Sequence, residues 1–347
     1  MKFQVCYLPG ALPETIHLAQ LCEDLGYDCV WLPDQTFHRD PFVALAAVAG
    51  VTHRIQIGLG VTTPYARHPA QIARAIATID ELSGGRAILG LGAGNKKMFL
   101  DKLGLAQDRA AARIRETAIV TRRLLAGESV TWESPDLVLR DVKLEFPARA
   151  DLPIYVASRA PLMLSVGGEV AEGVIAEALF TPGGIRYFLE RIQQGAAAAG
   201  RNGAPMETVC WQVVNVSDDR DKAVEELRPW AAHIIGASSE DIVQRMGIAP
   251  EASAAIHAAY RDGGQNAAAK HVTAREVDAV AIVGDAGYCV EKVRAITAAG
   301  VTALTLLVRG SMVDKERILR QFAENVVPQI EDGSGSSSGR SAISDRR

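Results

Sequence analysis

The feature that most restricts this chain is a rhythm. Short runs that are apolar on both faces alternate with amphipathic helical stretches, from the first residues to beyond residue 300. FQVCYLP, CVWLP, IQIGLGV, RAILGLGAG, LPIYVAS, GVIAEAL, ETVCWQVVNVS and VTALTLLV read as eight strands. Strands without polar alternation belong to a parallel sheet covered on both sides. Eight such strands with helices between them close a (β/α)8 TIM barrel, the α/β fold predicted here. A doubly wound open sheet is the alternative. It would usually carry a glycine-rich fingerprint after the first strand, and LPGALPE is not one.

The punctuation agrees. Pro13 opens a helix with Leu18, Leu21, Cys22 and Leu25 on one face, and Gly26 ends it. Asp40-Pro41 starts a second helix. Pro69 starts a third, with Ile72, Ile76 and Ile79 as its stripe and Ser83-Gly84-Gly85 as its stop. Two insertions interrupt the repeat. SVTWESPDLVLRDVKLEF alternates like a hairpin, and residues 236–277 form an Ala-rich helical stretch expected to cover the rim. The end of the chain, GSGSSSGRSAISDRR, is low in complexity. The expected organisation is one barrel domain over residues 1–330 and a disordered tail over 331–347.

Composition narrows the function classes. A chain of 347 residues with 48% hydrophobic residues can bury a large core. A net charge of -4 gives no broad field for nucleic acid. No apolar run is long enough to span a bilayer, and MKFQVCYLPG does not read as a signal peptide. Cys6, Cys22, Cys29, Cys210 and Cys289 show no metal or redox spacing, so buried reduced thiols, no bound metal and a cytoplasmic setting are expected.

In a barrel the chemistry sits at the C-terminal strand ends. Those ends are Pro9-Gly10, Asp34-Gln35, Gly60 to Tyr65, Gly92 to Lys97, Ala157 to Pro161, Glu177-Ala178, Asn215 to Ser217 and Arg309-Gly310. Gly60, Gly92, Ala93, Gly94, Ala157 and Ser158 are small, which favours close approach of a wide planar ligand over mere turn-making. Asp34 is a candidate site acid, or else a cap or solvated loop acid. Asn95, Lys96 and Lys97 could meet an anion, or simply be solvated. Arg159 stands just before Pro161, which opens a helix whose N-terminus suits a phosphate. His38 is the histidine nearest a strand end. His17, His53, His233, His257 and His271 lie away from the ends or within helices.

WLPDQ, GVTTPYARHP, TIDELSGGRAILGLGAGN and ASRAPLMLSVGGEVAEGVIAEAL, in this order, resemble the bacterial luciferase-like superfamily of flavin and coenzyme F420-dependent oxidoreductases. The likeness is greatest to the deazaflavin-dependent branch that includes methylenetetrahydromethanopterin reductase, and it runs from about residue 1 to 329. It implies a non-proline cis peptide at Gly60-Val61, forming a bulge that backs the isoalloxazine ring, with Thr63 at the ring's edge. It implies Asp34 beside the coenzyme, Ala93 and Gly94 as fourth-strand contacts, and Ala157, Ser158, Ala160 and Pro161 holding phosphate and ribityl chain. Asp34, His38 and Asn95 are the candidate catalytic residues. Departures exist. Gln35 stands where many relatives have His, Asn95 where sugar-phosphate dehydrogenases have Glu, and YLPGALPE lacks the glutamates of the methanopterin reductases.

The function implied is hydride transfer between coenzyme F420 and a small carbonyl, imine or methylene-pterin substrate. An FMN-dependent monooxygenase and a non-catalytic flavin-binding relative are the alternatives. A homodimer is expected by family analogy, with no nucleic-acid or membrane partner.

Overall fold

The structure, a computed structural model, describes residues 1–332. All eight expected runs are strands: β1 (Lys2–Cys6), β2 (Cys29–Leu32), β3 (Gln56–Thr62), β4 (Ala87–Leu91), β7 (Ile154–Ala157), β8 (Gly173–Glu177), β9 (Glu207–Val216) and β11 (Ala303–Leu307). They pair in parallel in that order. β8 pairs with β9, β9 with β11, and β11 returns to β1 from Lys2↔Ala303 to Cys6↔Leu307, which closes the barrel. The first insertion is an antiparallel hairpin of β5 (Val130–Glu133) and β6 (Val138–Val142). The second is helical, with segments Glu240–Arg245, Pro250–Ala268 and Ala274–Val280. Its long segment packs on the Arg220–Gly236 helix. A ninth parallel strand, β10 (Ala281–Gly284), pairs with the far half of β9. It follows the Ala274–Val280 helix without a break, so the sequence shows no boundary between them.

The helices start where their residues allow. Asp40 Oδ1 accepts from Phe42 N at 2.9 Å, capping the second helix ahead of Pro41. Ile72, Ile76 and Ile79 are buried along the Pro69–Ser83 helix, and Gly84 ends it at φ +68°. A further helix, Met312–Asn325, returns along the N-terminal strand. Its Phe322 ring meets Phe3 edge-on at 5.6 Å, and Tyr27 Oη donates to Leu319 O at 2.9 Å. Residues 331 and 332 end a last helix, Val327–Asp332. The rest of the expected tail lies outside the described residues.

The barrel interior is filled. Cys6, Cys29, Trp31, Ile88, Tyr155, Ile175, Val209, Trp211 and Ala303 form one buried cluster inside the strands. Gln4 is buried among them with its amide satisfied. Its Oε1 accepts from Trp31 Nε1 at 2.8 Å and Thr305 Oγ1 at 2.9 Å, and its Nε2 donates to Glu207 Oε1 at 2.7 Å. All five cysteines are free and buried, and burial raises every thiol, Cys210 to about 12. They are packing groups, not nucleophiles.

The DELSGGR stretch stabilises the opposite end of the barrel. Asp80 is buried, accepts from Ala87 N at 3.1 Å, and holds Arg149 through bonds of 2.8 and 2.9 Å. The Arg86 guanidinium donates to the carbonyls of Ala49, Thr52, Ile55 and Ser83. These contacts join the loops that enter β3 and β4, leaving the C-terminal strand ends for a ligand.

Candidate functional site

The site begins with a defect in β3. Leu59 pairs with Leu89 but Thr62 with Leu91, so β3 spends an extra residue there. Within that bulge the Gly60-Val61 peptide is cis, as the family likeness implied. Gly60 is required by close approach, because a Cβ there would lie 2.8 Å from Trp211 Cη2 and 3.0 Å from Trp31 Cε3. The Val61 methyls occupy space that Cβ atoms on the next strand would fill. A Cβ at Gly90 would stand 2.7 Å from Val61 Cγ1, and one at Gly92 would stand 2.6 Å from Val61 Cγ2. The fourth-strand glycines therefore seat Val61. Val61, Ala157 and Leu307 remain partly exposed above the inner cluster, as an apolar platform in the barrel mouth.

The loops around the platform are tied to one another. Asp34 Oδ2 accepts from Thr62 Oγ1 at 2.8 Å and lies 3.4 Å from Arg67 Nε. Arg67 also pairs with Asp40 and lies over the Phe42 ring at 4.6 Å. Asp34 is thus held against the residue that follows Val61. Thr63 Oγ1 donates to Ala93 O at 3.2 Å, and Gln107 Nε2 bonds the carbonyls of Ala93 and Gly94 at 2.8 and 2.9 Å. Gly94 has φ +75° and packs against Thr63. Asn95 Oδ1 accepts from Met98 N at 3.0 Å, capping a turn of π-helix over Lys96–Leu100. His38 lies exposed in the loop after β2. Lys96 pairs with Asp101. The fifth-strand segment is shaped differently. Ser158 Oγ accepts from Ala160 N at 3.0 Å, and the Pro161–Val170 helix begins after Ala160 with no side-chain cap. Its first N–H groups are therefore available to an anion.

The structure gathers charged residues of which only Arg159, beside a helix N-terminus suited to a phosphate, had a role assigned from the sequence. Strand side chains alternate, and Ile175 faces the barrel interior, so Glu177 faces inward from the last position of β8. Among the described residues, the side chains of Glu177, Arg159 and Arg309 make no hydrogen bond and no ion pair. The Nη1 of Arg159 is buried without a partner. Burial pushes the Glu177 carboxyl up, against the opposing pull of Arg159 and Arg309. The same two arginines act on His233. Burial first, and then their charge, push His233 down, and its Nδ1 lies 2.7 Å from Tyr260 Oη. Read from the sequence as a helix residue away from the strand ends, His233 lies in the field of the mouth. The parity of GVIAE could have revealed Glu177, since residue 177 shares its face with Ile175. Arg309 stood at a strand end already read from the sequence, whereas nothing local in the sequence marks His233.

The arrangement is an apolar, glycine-backed shelf with an open helix N-terminus, two uncommitted arginines and one inward carboxyl. It suits a flat anionic ligand that stacks by one face and is anchored at its charged end. Among the described residues there is no group of three or more His, Cys, Asp or Glu able to hold a metal, and no helix long and apolar enough to cross a membrane.

Comparison with known proteins agrees with this geometry. The 5,10-methylenetetrahydromethanopterin reductase of Archaeoglobus fulgidus is 32% identical over 337 residues, covering 95% of this chain and 100% of the relative. The F420-dependent glucose-6-phosphate dehydrogenase of Nakamurella multipartita is 28% identical over 339 residues, covering 91% and 92%. Among solved structures, the coenzyme F420 dependent tetrahydromethanopterin reductase from Methanopyrus kandleri superposes with a TM-score of 0.85 at 30% identity, covering 95% of this chain and 99% of that one. The model of the luciferase-like monooxygenase family matches residues 3–303. The chain belongs to the luciferase-like monooxygenase family.

Proposed function

We propose that this protein is a coenzyme F420-dependent oxidoreductase that transfers hydride between the deazaflavin and a small carbonyl, imine or methylene-pterin substrate. The observation that carries this reading is the Val61 platform. A branched side chain is set by a cis bulge on a bed of glycines and left partly exposed in the mouth of a barrel. That shelf fits one face of a planar ring. The uncapped start of the Pro161–Val170 helix and the unpartnered Nη1 of Arg159 fit the coenzyme's phosphate. When bound, the deazaflavin supplies a two-electron hydride carrier with little oxygen chemistry. The chain itself stacks the ring, anchors its anionic end and keeps the loops in place through Asp34, Thr63 and Gln107. The curated relatives named as F420-dependent enzymes or methanopterin reductases support the same coenzyme.

A parallel titration of the purified protein with F420 and FMN, followed by chemical reduction of the complex, tests the reading. F420 should bind at least about tenfold more tightly, a difference of about 1.4 kcal/mol. Tight binding of FMN with F420 excluded overturns it. A homodimer remains the expected assembly by family analogy, and sedimentation of the full chain decides it.

A further inference from the structure

We propose that Glu177 is the acid of this site: it holds a proton on its carboxyl and presents that proton above the Val61 platform to the substrate bound there. The inference rests on the coenzyme F420 reading and extends it to a residue. Three observations place Glu177. Its position at the end of β8, two residues after inward-facing Ile175, aims it into the mouth. It pairs there with Trp211 on β9, whose ring packs against Gly60 of the bulge. Among the described residues its carboxyl has neither a hydrogen-bond donor nor an ion-pair partner. By contrast, the nearby loop acid Asp34 is tied to Thr62 and Arg67.

Glu177 is half-buried, and a carboxylate there has no protein donor to replace the water it loses, which favours the protonated form. The charged and titratable groups that act on Glu177 or share its surroundings are Arg159 after β7, Arg309 after β11, Cys6 on β1 and His233 on the Arg220–Gly236 helix. The two arginines favour the ionised form. Burial outweighs them, and the net direction for Glu177 is upward. The Cys6 thiol is itself raised and stays neutral. His233 is lowered, which favours its neutral form. Glu177 is then the inward-facing acid of the mouth whose carboxyl is not tied to a neighbour, whereas Asp34 is.

The chemistry needs such a group. Reduction of a C=O or C=N carbon adds a hydride, with its two electrons, to carbon and leaves an electron pair on the heteroatom. The proton on Glu177 Oε forms the new O–H or N–H bond as its own O–H bond breaks. The carboxyl is left as a carboxylate, and a proton from solvent restores it. The coenzyme is the reductant and is oxidised by two electrons. For a methylene-pterin, the proton goes to the amine nitrogen released as the methylene becomes a methyl.

The test compares wild type with Glu177→Gln, which keeps shape and removes the titration, and uses two readouts that need no substrate. Difference infrared spectra of the coenzyme-free proteins should show a protonated carboxylic-acid band that persists above the ordinary glutamate range, about 4.3, and is absent from the variant. F420 titrations at about pH 6 should give affinities within about threefold for the two proteins. As pH rises through the loss of the infrared band, affinity should fall in wild type, because a new carboxylate then faces an anionic ligand. It should stay level in Glu177→Gln. No band in wild type, or a wild-type affinity that ignores the band's disappearance, overturns the proposal. If neither protein binds F420 at any pH, the coenzyme reading fails by itself, and the infrared band still decides whether Glu177 holds a proton.

Discussion

Replacing Gly92 by alanine should disable the platform without touching a charged group. The new Cβ would stand 2.6 Å from Val61 Cγ2. Carbon atoms in contact lie about 3.5–4.0 Å apart, so the valine must give way by about 1 Å. It cannot do so cheaply by rotation, because a β-branched side chain is stiff at χ1 and Gly90 takes up the other methyl. The side chain must therefore move off β4. Overpacking of this kind costs about 1–3 kcal/mol. If it falls on the coenzyme complex, F420 affinity drops about five- to 150-fold. The structure also says how to repair the damage. The Val61 Cβ would stand 3.7 Å from the new methyl, an ordinary contact, so Val61→Ala removes the clash completely. Fluorescence titration of F420 into wild type, both single variants and the double variant measures the coupling. The double variant should bind like Val61→Ala alone, with a coupling energy of about 1 kcal/mol or more. Additive losses, or a Gly92→Ala protein that binds like wild type, would refute the seating of Val61 by the fourth strand.

Asp34→Ala removes the acceptor of Thr62 and one of the two carboxylate partners of Arg67, and should cost about 1–3 kcal/mol of stability and weaken F420 binding while the barrel's circular dichroism is retained. Unchanged affinity would remove Asp34 from the site. Arg149→Ala leaves Asp80 buried without its cation and should lower chemical stability by about 3 kcal/mol, with F420 affinity intact below the unfolding transition. Loss of binding in the folded variant would contradict the assignment of this pair to the far end of the barrel. His233 is held below its ordinary value. The unfolded chain therefore takes up a proton at higher pH than the fold does, and stability should fall as pH drops below about 6.5. Glu177, raised in the fold, contributes the opposite slope: its stabilisation is complete below the ordinary glutamate range and is lost as pH rises through the raised value. Denaturant titrations across pH on His233→Gln and Glu177→Gln should each flatten one limb of the profile.

The fold was legible because parallel strands buried on both faces leave an unambiguous mark. All eight barrel runs became strands, and SVTWESPDLVLRDVKLEF became the β5–β6 hairpin. β10 escaped because AIVG directly continues the Ala274–Val280 helix with no separate turn signal. At the site, Gly60-Val61 was readable through the family likeness. What Gly90 and Gly92 do was not, since it depends on which residue of a bulged strand lies opposite them. Asn95 illustrates the same limit. Its place after a strand suggested chemistry, whereas its side chain caps the following turn. Asp34 and Arg67 are 33 residues apart in sequence, and their pairing follows only from the closure of neighbouring strand ends. Glu177, Arg309 and His233 come together from three elements, and no local pattern joins them.

The central claim is that a deazaflavin ring rests on Val61. A crystal structure of the protein with F420 tests it most directly. The account predicts one ring face against the Val61 methyls, the phosphate at the start of the Pro161–Val170 helix beside Arg159, and the Glu177 carboxyl facing the space above the ring. A ring bound elsewhere, or bound in the mouth without contact to Val61, would contradict it.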